Sequence, residues 1–466
     1  MRPLCADYGQ NVAYFDQTLR VSENFDVLKK KLAIGKDELT LYFIDGFVKD
    51  TVMQKLMMHF LSQKSLPDEA SEFMRVGVPY VETDTCEDCD LAIQMVLSGA
   101  TLMLGSTFGA EAIIVDTRTY PARETQEPDG DRVMRGARDG FVETLIFNTA
   151  LIRRRIRNPA LTMHYLTIGS DSKTDVVICY MGDRADISYI DELKKILMSV
   201  NTRALTVGHE SLAECLIKTR WYNPFPKIRT TERPDAACAQ LLEGSVLVLI
   251  DNSPQVMVLP SSIFDFMQET NDFYFPPLTG TYIRVVRHIV FLMTLLITPA
   301  WYLCLQYPSL LPEWLHFALP AETGQLPIIV QLLLVEFLID ALRLASLNTP
   351  DMLNNSLSVV GGLILGDFAV SVGWFIPEVI LYMAFVAIAN FTQRSYELGY
   401  AIKFLRILIL ILTAIFGIWG FAGGVLLTVI LLATNSTVNG KRHYLYPLIP
   451  FRPKALKTLF FRVRRP

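Results

Sequence analysis

Residues 288–440 carry only four basic side chains, Arg343, Arg394, Lys403 and Arg406, while the other 39 of the chain's 43 Lys and Arg residues lie elsewhere. Lipid offers no hydrogen-bond partner to a bare peptide group, so only internally bonded helices or closed barrels can cross a bilayer. One helical crossing takes about 20 apolar residues. Residues 288–305, "HIVFLMTLLITPAWYLCL", supply the first candidate, with Trp301 and Tyr302 at the depth of an interfacial belt. Residues 327–344 supply the second. A third region is broken into residues 357–372 and 375–391, split at Gly373 and Trp374 and interrupted by Pro377. Residues 407–434 are uncharged, about 42 Å as a straight helix, too long for one upright span and short for two. A hairpin or re-entrant pair bent near Gly417, Gly420, Gly423 and Gly424 is the expected solution. The pairs Gly362/Gly366 and Gly420/Gly424 have the spacing that lets helices approach closely, or else merely loosen irregular segments.

Basic flanks set orientation. Arg284 and Arg287 precede the first span, the loop 306–326 has no Lys or Arg, and Arg343 ends the second span. Arg394, Lys403 and Arg406 read as another inside loop, and residues 441–466 carry eight basic residues and no acid. Four to six membrane segments over residues 281–440 with both termini cytoplasmic are expected, followed by a basic cytoplasmic tail over residues 441–466.

The stretch "LLLVEFLIDALRLA" puts Glu336, Asp340 and Arg343 on one face of a helix. A carboxylate at mid-bilayer costs about 2.5–3.5 kcal/mol on insertion scales, so such groups face protein or a wet path. With Asp367, Glu378 and Asn390 they form the candidate polar, pore-lining set. Two readings stand: a hydrated interior that attracts cations, or helix–helix glue in which Arg343 pairs with Asp340 and Glu336 is protonated.

The chain's 19% charged residues against about 25% in average soluble chains reflect this apolar region alone. Upstream, "LTLYFIDGF", "EAIIVDT", "TDVVICYM", "SVLVLID" and "QVMVLP" read as buried strands bounded by turn residues. "DTVMQKLMMHFLSQ", "YIDELKKILMSV" and "AACAQLLEG" read as helices. An α/β cytoplasmic domain of two subdomains is expected: a leader over residues 1–30, subdomains over 31–158 and 159–280, and a Pro-rich loop "YNPFPKIRTTERP" in the second. The N-terminus lacks an apolar signal region, and seven scattered cysteines suit a reducing compartment.

Enzymatic signals are poor. There is no Walker A sequence, no G-x-G-x-x-G after a strand and no H-E-x-x-H. Cys86 and Cys89 form a lone C-x-x-C without a second pair at zinc spacing. No catalytic residue, cofactor or metal is expected. The basic helix end "LIRRRIR" reads as solvated or subunit-facing near the negative pole of the macrodipole, not as a nucleic-acid site.

Three longer blocks, "EPDGDRVMRGARDGFVETLIFNTALIRRRIRNP", "NPFPKIRTTERPD" and "FPPLTGTYIRVVR", resemble signature blocks of the GerA-type spore germination family, the A subunits of nutrient germinant receptors. "LLLVEFLIDALRLA", "VVGGLILGDFAV" and "IANFTQRSYELGYAIKFLR" follow in the family's order, so the resemblance spans residues 30–450. It implies a protein of the spore inner membrane that assembles with itself into a ring, a pentamer, acting as an ion channel during germination. Expected partners are a small membrane protein or B- and C-type subunits, and membrane lipid, but no nucleic acid. Within the first block, Arg132, Arg135, Arg138, Asp139, Glu143 and Asn148 are expected to form an ion-pair network that shapes the domain or its subunit contacts, or a plain surface network. The rival functions are a receptor or scaffold subunit working with a transporter-like B partner, and a secondary transporter suggested by broken helices with intramembrane acids.

Overall fold

A computed structural model describes residues 2–118, 136–217, 221–269, 271–320, 324–347, 369–435, 437–438 and 444–462. The chain divides into two compact units, Met1–Thr219 with Ile228–Pro260, and Arg220–Lys227 with Ser261–Pro466.

The first unit is an α/β domain with two antiparallel sheets. In the first sheet, β1 (Val27–Ile34), β2 (Asp37–Ile44), β3 (Thr83–Cys86), β4 (Thr101–Gly105) and β5 (Ala112–Val115) stand in the order β1-β2-β4-β5-β3. In the second, β6 (Leu161–Ile168), β7 (Thr174–Met181), β8 (Arg229–Thr231), β9 (Val246–Ile250) and β10 (Val256–Leu259) stand in the order β6-β7-β9-β10-β8. The second order repeats the first, five strands later.

The helices repeat as well. Two follow the opening hairpin, α2 (Asp50–Leu61) and α3 (Ala70–Gly77) in one case, α6 (Ile187–Met198) and α7 (His209–Leu216) in the other. One helix then joins the third strand to the fourth, α4 (Cys89–Leu97) or α8 (Pro234–Leu242). Helices α1 (Tyr8–Thr18) and α5 (Leu145–Arg155) stand outside the repeat.

Alternation explains the layers. Leu102, Leu104 and Ile114 pack with Phe15 of α1 and with Ala92 and Val96 of α4, while Met103, Ile113 and Val115 pack with Leu56, Phe60 and Phe73 of α2 and α3. Successive strand residues point to opposite faces, so a run of apolar residues clads both faces with helices. Each fully buried Leu, Ile or Phe contributes about 1.5–3 kcal/mol. The edge strand β1 exposes Lys29, Lys30 and Lys31, which discourages edge-to-edge pairing. Gly35 turns the β1–β2 hairpin at φ +62°, where a Cβ would stand 2.1 Å from the Lys64 carbonyl oxygen, so only glycine fits. Residues 20–26 lie along β6: Phe25 N–H donates to the Met163 carbonyl at 3.3 Å, and Met163 N–H donates to Asn24 Oδ1 at 2.7 Å.

The second unit is helical. It holds α9 (Ile263–Met267), α10 (Asn271–Tyr274), α11 (Pro277–Gln306), α12 (Ile328–Leu347), α13 (Pro377–Phe391), α14 (Tyr396–Phe416), α15 (Ile418–Thr434) and α16 (Pro453–Phe460). Helices α11 and α14 are long and apolar enough to cross a bilayer, and α13 and α15 are shorter apolar helices. Proline at the first turn opens α11, α13 and α16, where its missing N–H costs nothing. Pro377 therefore starts a helix instead of kinking one. Part of the Pro-rich loop belongs to this unit: Asn223 Nδ2 donates to the Leu431 carbonyl at 3.3 Å, and Phe225 lies 6.4 Å from the Tyr444 ring.

The long uncharged segment does fold as a hairpin. Gly417 leaves helical geometry at φ +58°, ψ −133°. Beyond it, a Cβ on Gly420 would stand 1.9 Å from the Leu412 carbonyl oxygen, and one on Gly424 would stand 3.0 Å from Ile409, so the glycines of the second arm let it approach the Ile409–Leu412 turn of the first. The first arm begins at Tyr396, not near residue 407, so Lys403 and Arg406 are buried side chains within a helix and not part of a loop. Hydropathy ends a span at a charge, whereas a helix continues wherever that charge finds a partner. The proposed close pair Gly362/Gly366 lies outside the described residues.

Gly420→Ala is expected to destabilise the helical unit by about 1–3 kcal/mol through overpacking. Gly423→Ala, with nothing within 4 Å of its Cβ position, should be within about 0.5 kcal/mol of wild type. Thermal unfolding of both variants in detergent checks the contrast; equal melting temperatures would mean that the arms do not touch.

Candidate functional site: buried charges among apolar helices

Helix α12 carries Glu336 and Asp340 four residues apart, and α14 carries Lys403 and Arg406 three apart, so each pair occupies one face. The two faces meet. Arg406 Nη2 donates to Glu336 Oε1, and Lys403 Nζ donates to Asp340 Oδ2. Lys403 Nζ also stands 3.6 Å from Glu336 Oε1, and Arg406 Nη1 donates to the Thr294 carbonyl of α11 at 3.0 Å. Three helices are thus joined by two acids and two bases whose formal charges cancel. Side-chain exposure separates the members: Arg406 is 4% exposed, Lys403 7% and Glu336 9%, but Asp340 is 34% exposed. Glu336 is sealed, and Asp340 keeps an open edge.

Arg343 does not pair with Asp340. One turn further along α12, its guanidinium lies 5.2 Å from the ring centroid of Phe391, 5.9 Å from Tyr396 and 5.6 Å from Tyr400. Rings attract a guanidinium by about 0.5–1 kcal/mol each at open sites. The base that serves Asp340 comes instead from a helix 63 residues downstream.

Of the other expected polar residues, Glu378 is half-buried in the first turn of α13, where the macrodipole favours an acid. Asn390 lies against Gly399 of α14, with its Oδ1 buried and without a hydrogen-bond partner. Asp367 lies outside the described residues. Sequence reasoning passed over Gln331. It is buried, donates Nε2 to the Leu326 carbonyl at 2.7 Å and accepts from Ile376 N–H at 2.9 Å, fixing the turn that leads into α13. Its only signal was an amide alone in an apolar run.

In the first unit, Asn148 is fully buried. Its Nδ2 donates to the Val142 carbonyl at 2.6 Å and its Oδ1 accepts Val142 N–H at 2.8 Å, which shapes the entry to α5. Asp139 pairs with Arg155. The Glu143 carbonyl accepts Asn252 N–H at 2.8 Å, and Arg138 lines a concavity of about 800 Å³ with Arg154, Arg157 and Phe147. Arg132 and Arg135 lie outside the described residues.

The basic helix end is not uniformly solvated. Arg153 is fully buried and bidentate to Asp26, Nε to Oδ2 at 2.8 Å and Nη2 to Oδ1 at 3.0 Å, with Nη1 on the Leu161 carbonyl at 3.3 Å. Arg233 likewise grips Asp235 at 3.0 and 2.6 Å and donates to the Ala137 carbonyl at 3.0 Å. Cys86 and Cys89 are buried, their thiols donate to the Asp88 and Pro3 carbonyls, and burial pushes both thiols up from the usual range. Among the described residues no three His, Cys, Asp or Glu side chains converge as a metal site would need.

A family model described as Bacillus/Clostridium GerA spore germination protein matches residues 14–466. Stage V sporulation protein AF of Bacillus subtilis (strain 168) is 36% identical over 98% of this chain and 93% of that protein. Spore germination protein KA of the same organism is 27% identical over 95% of this chain and 82% of that protein. Among solved structures, the N-terminal domain of the A subunit of the Bacillus megaterium spore germinant receptor GerK3 aligns with a TM-score of 0.42 at 22% identity, covering 56% of this chain and 96% of that one.

Proposed function

This chain belongs to the Bacillus/Clostridium GerA spore germination protein family, and on that premise we propose that it is one subunit of an oligomeric ion channel that releases ions across the spore inner membrane during germination. The subunits form a ring of like copies, a pentamer, each crossing the membrane several times with its α/β domain in the cytoplasm. A small membrane partner or B- and C-type subunits assemble with it.

The observation that carries the reading is the open edge of Asp340. A helix that only anchors a domain has no use for buried carboxylates. Here three members of the cluster are sealed, but the fourth presents an acid to the outside of the subunit. Repeated around a ring, that acid would line a hydrated path shared by the copies. Glu336, Lys403 and Arg406 would hold the helix that carries it, and Glu378, Asn390 and Arg343 would border the path.

Planar-bilayer recording of the purified full chain tests this. Asp340→Asn is expected to lower unitary cation conductance several-fold, and Asp340→Glu to retain most of it. A protein that inserts but never conducts, or that runs as a single chain in detergent, would favour the scaffold reading.

A further inference from the structure

The C-terminal segment holds an unassigned surface. Residues 441–466 contain eight basic residues and no acid. In the described part, Arg452, Lys454 and Lys457 are exposed, and no carboxylate stands within ion-pair distance of them among the described residues. Large apolar side chains are exposed beside them: Leu448, Ile449, Phe451 and Phe461, with Phe451 66% open. Arg452 lies 5.8 Å from the Tyr446 ring centroid, and exposed aromatics next to bases that face no carboxylate are poorly placed for water and well placed for a membrane interface.

The segment is not a loose tail. Tyr444 is buried, and its carbonyl accepts Ile263 N–H at 2.9 Å. Helix α16 lies on the first turns of α11: Arg284 Nη1 donates to the Thr458 carbonyl at 2.9 Å, Arg462 N–H donates to Thr281 Oγ1 at 3.1 Å, and the His288 and Phe460 rings are 4.9 Å apart. From the same level α11 exposes Leu278, Tyr282, Val285, Ile289 and Leu292, which follow one helical face upward. The apolar belt of the helical unit therefore begins where α16 docks. The two bases that α11 places beside it, Arg284 and Arg287, are buried on Asp272, with Arg287 also on Glu269.

We propose that residues 444–462 form an interfacial collar that binds anionic lipid, with Ile449, Phe451 and Phe461 at the acyl boundary and Arg452, Lys454 and Lys457 on headgroup phosphates. The collar fixes the depth of α11. Each basic residue near an anionic surface strengthens association about fivefold, so three should act together measurably. This rests on the membrane reading of α11 and α14, but not on conduction.

Hydrogen–deuterium exchange of the full chain in nanodiscs tests it. Amides of residues 444–462 are expected to exchange at least about tenfold more slowly in discs with 30% phosphatidylglycerol than in phosphatidylcholine alone. The difference should shrink in 0.5 M salt and vanish in the triple variant Arg452→Gln, Lys454→Gln, Lys457→Gln. Phe451→Ser should lose part of it. Equal exchange in both lipids, with normal insertion, would overturn the collar and leave the channel reading untouched. Failure to enter discs would instead sink the membrane reading. Protection produced in phosphatidylcholine discs by soluble glycerol phosphate would also overturn it, since a headgroup-sized anion would then suffice without a surface.

Discussion

Arg153→Met is expected to cost the first unit about 3–5 kcal/mol, because it strands the Asp26 carboxylate in a dry interior. Asp26 and Arg153 are 2% and 0% exposed, and both carboxylate oxygens are taken by the guanidinium. Domains of this kind are stable by only about 5–15 kcal/mol, so the variant should unfold early in urea and lose protease resistance at growth temperature. Arg153→Lys should not rescue it, since an ammonium cannot reproduce the forked contact or the third bond to the Leu161 carbonyl. The double change Asp26→Leu, Arg153→Met should recover a good part of the loss, as apolar pairs of similar volume often do. An unchanged urea midpoint for the single variant would show that the pair is dispensable.

The second large effect lies among the apolar helices. Glu336→Leu removes the acceptor of Arg406 and the second neighbour of Lys403, leaving a guanidinium that is 4% exposed with only the Thr294 carbonyl. The expected cost is again about 3–5 kcal/mol, read as a lower melting temperature in detergent and less protein in the membrane fraction. Glu336→Leu with Arg406→Met should restore most of it. A stable Glu336→Leu single variant would mean that the cluster is wet. This prediction also governs how channel tests are read: a Glu336 variant that conducts poorly says little about lining, because its helices are no longer held. Asp340→Asn also takes a carboxylate from Lys403, leaving it Glu336 at 3.6 Å, so its conductance is to be compared with its melting temperature, and Asp340→Glu, which keeps the charge, is the control.

Much of this was visible in local pattern. The strand runs "TDVVICYM", "SVLVLID" and "QVMVLP" fall on β7, β9 and β10, and of the glycines expected to bend the chain, Gly417, Gly420 and Gly424 make the hairpin while Gly423 faces open space. Alternation, helical periodicity and turn chemistry act over a few residues and can be read without a fold. The stripe Glu336, Asp340 and Arg343 was equally plain, but its meaning was not. Arg343 was the nearest base in sequence and proved the wrong partner; Lys403 and Arg406 looked like topology markers and proved to be the partners. Arg153, one of three consecutive arginines, could not be told from Arg154 until β6 and the loop before β1 closed around it.

By itself the amino-acid order marked the apolar strands β2, β5, β7, β9 and β10, the apolar helices, the glycine turn and the family blocks; β1, β3, β4, β6 and β8, more polar or shorter, emerged only in the fold. Tertiary structure alone decided who neutralises whom, that the strand order of one sheet is repeated in the other, and which single carboxylate of the cluster stays open. The physical reason is range. Hydropathy and backbone propensity are properties of neighbours along the chain, whereas a buried charge is satisfied by whichever group the fold delivers, here from 63 to 127 residues away.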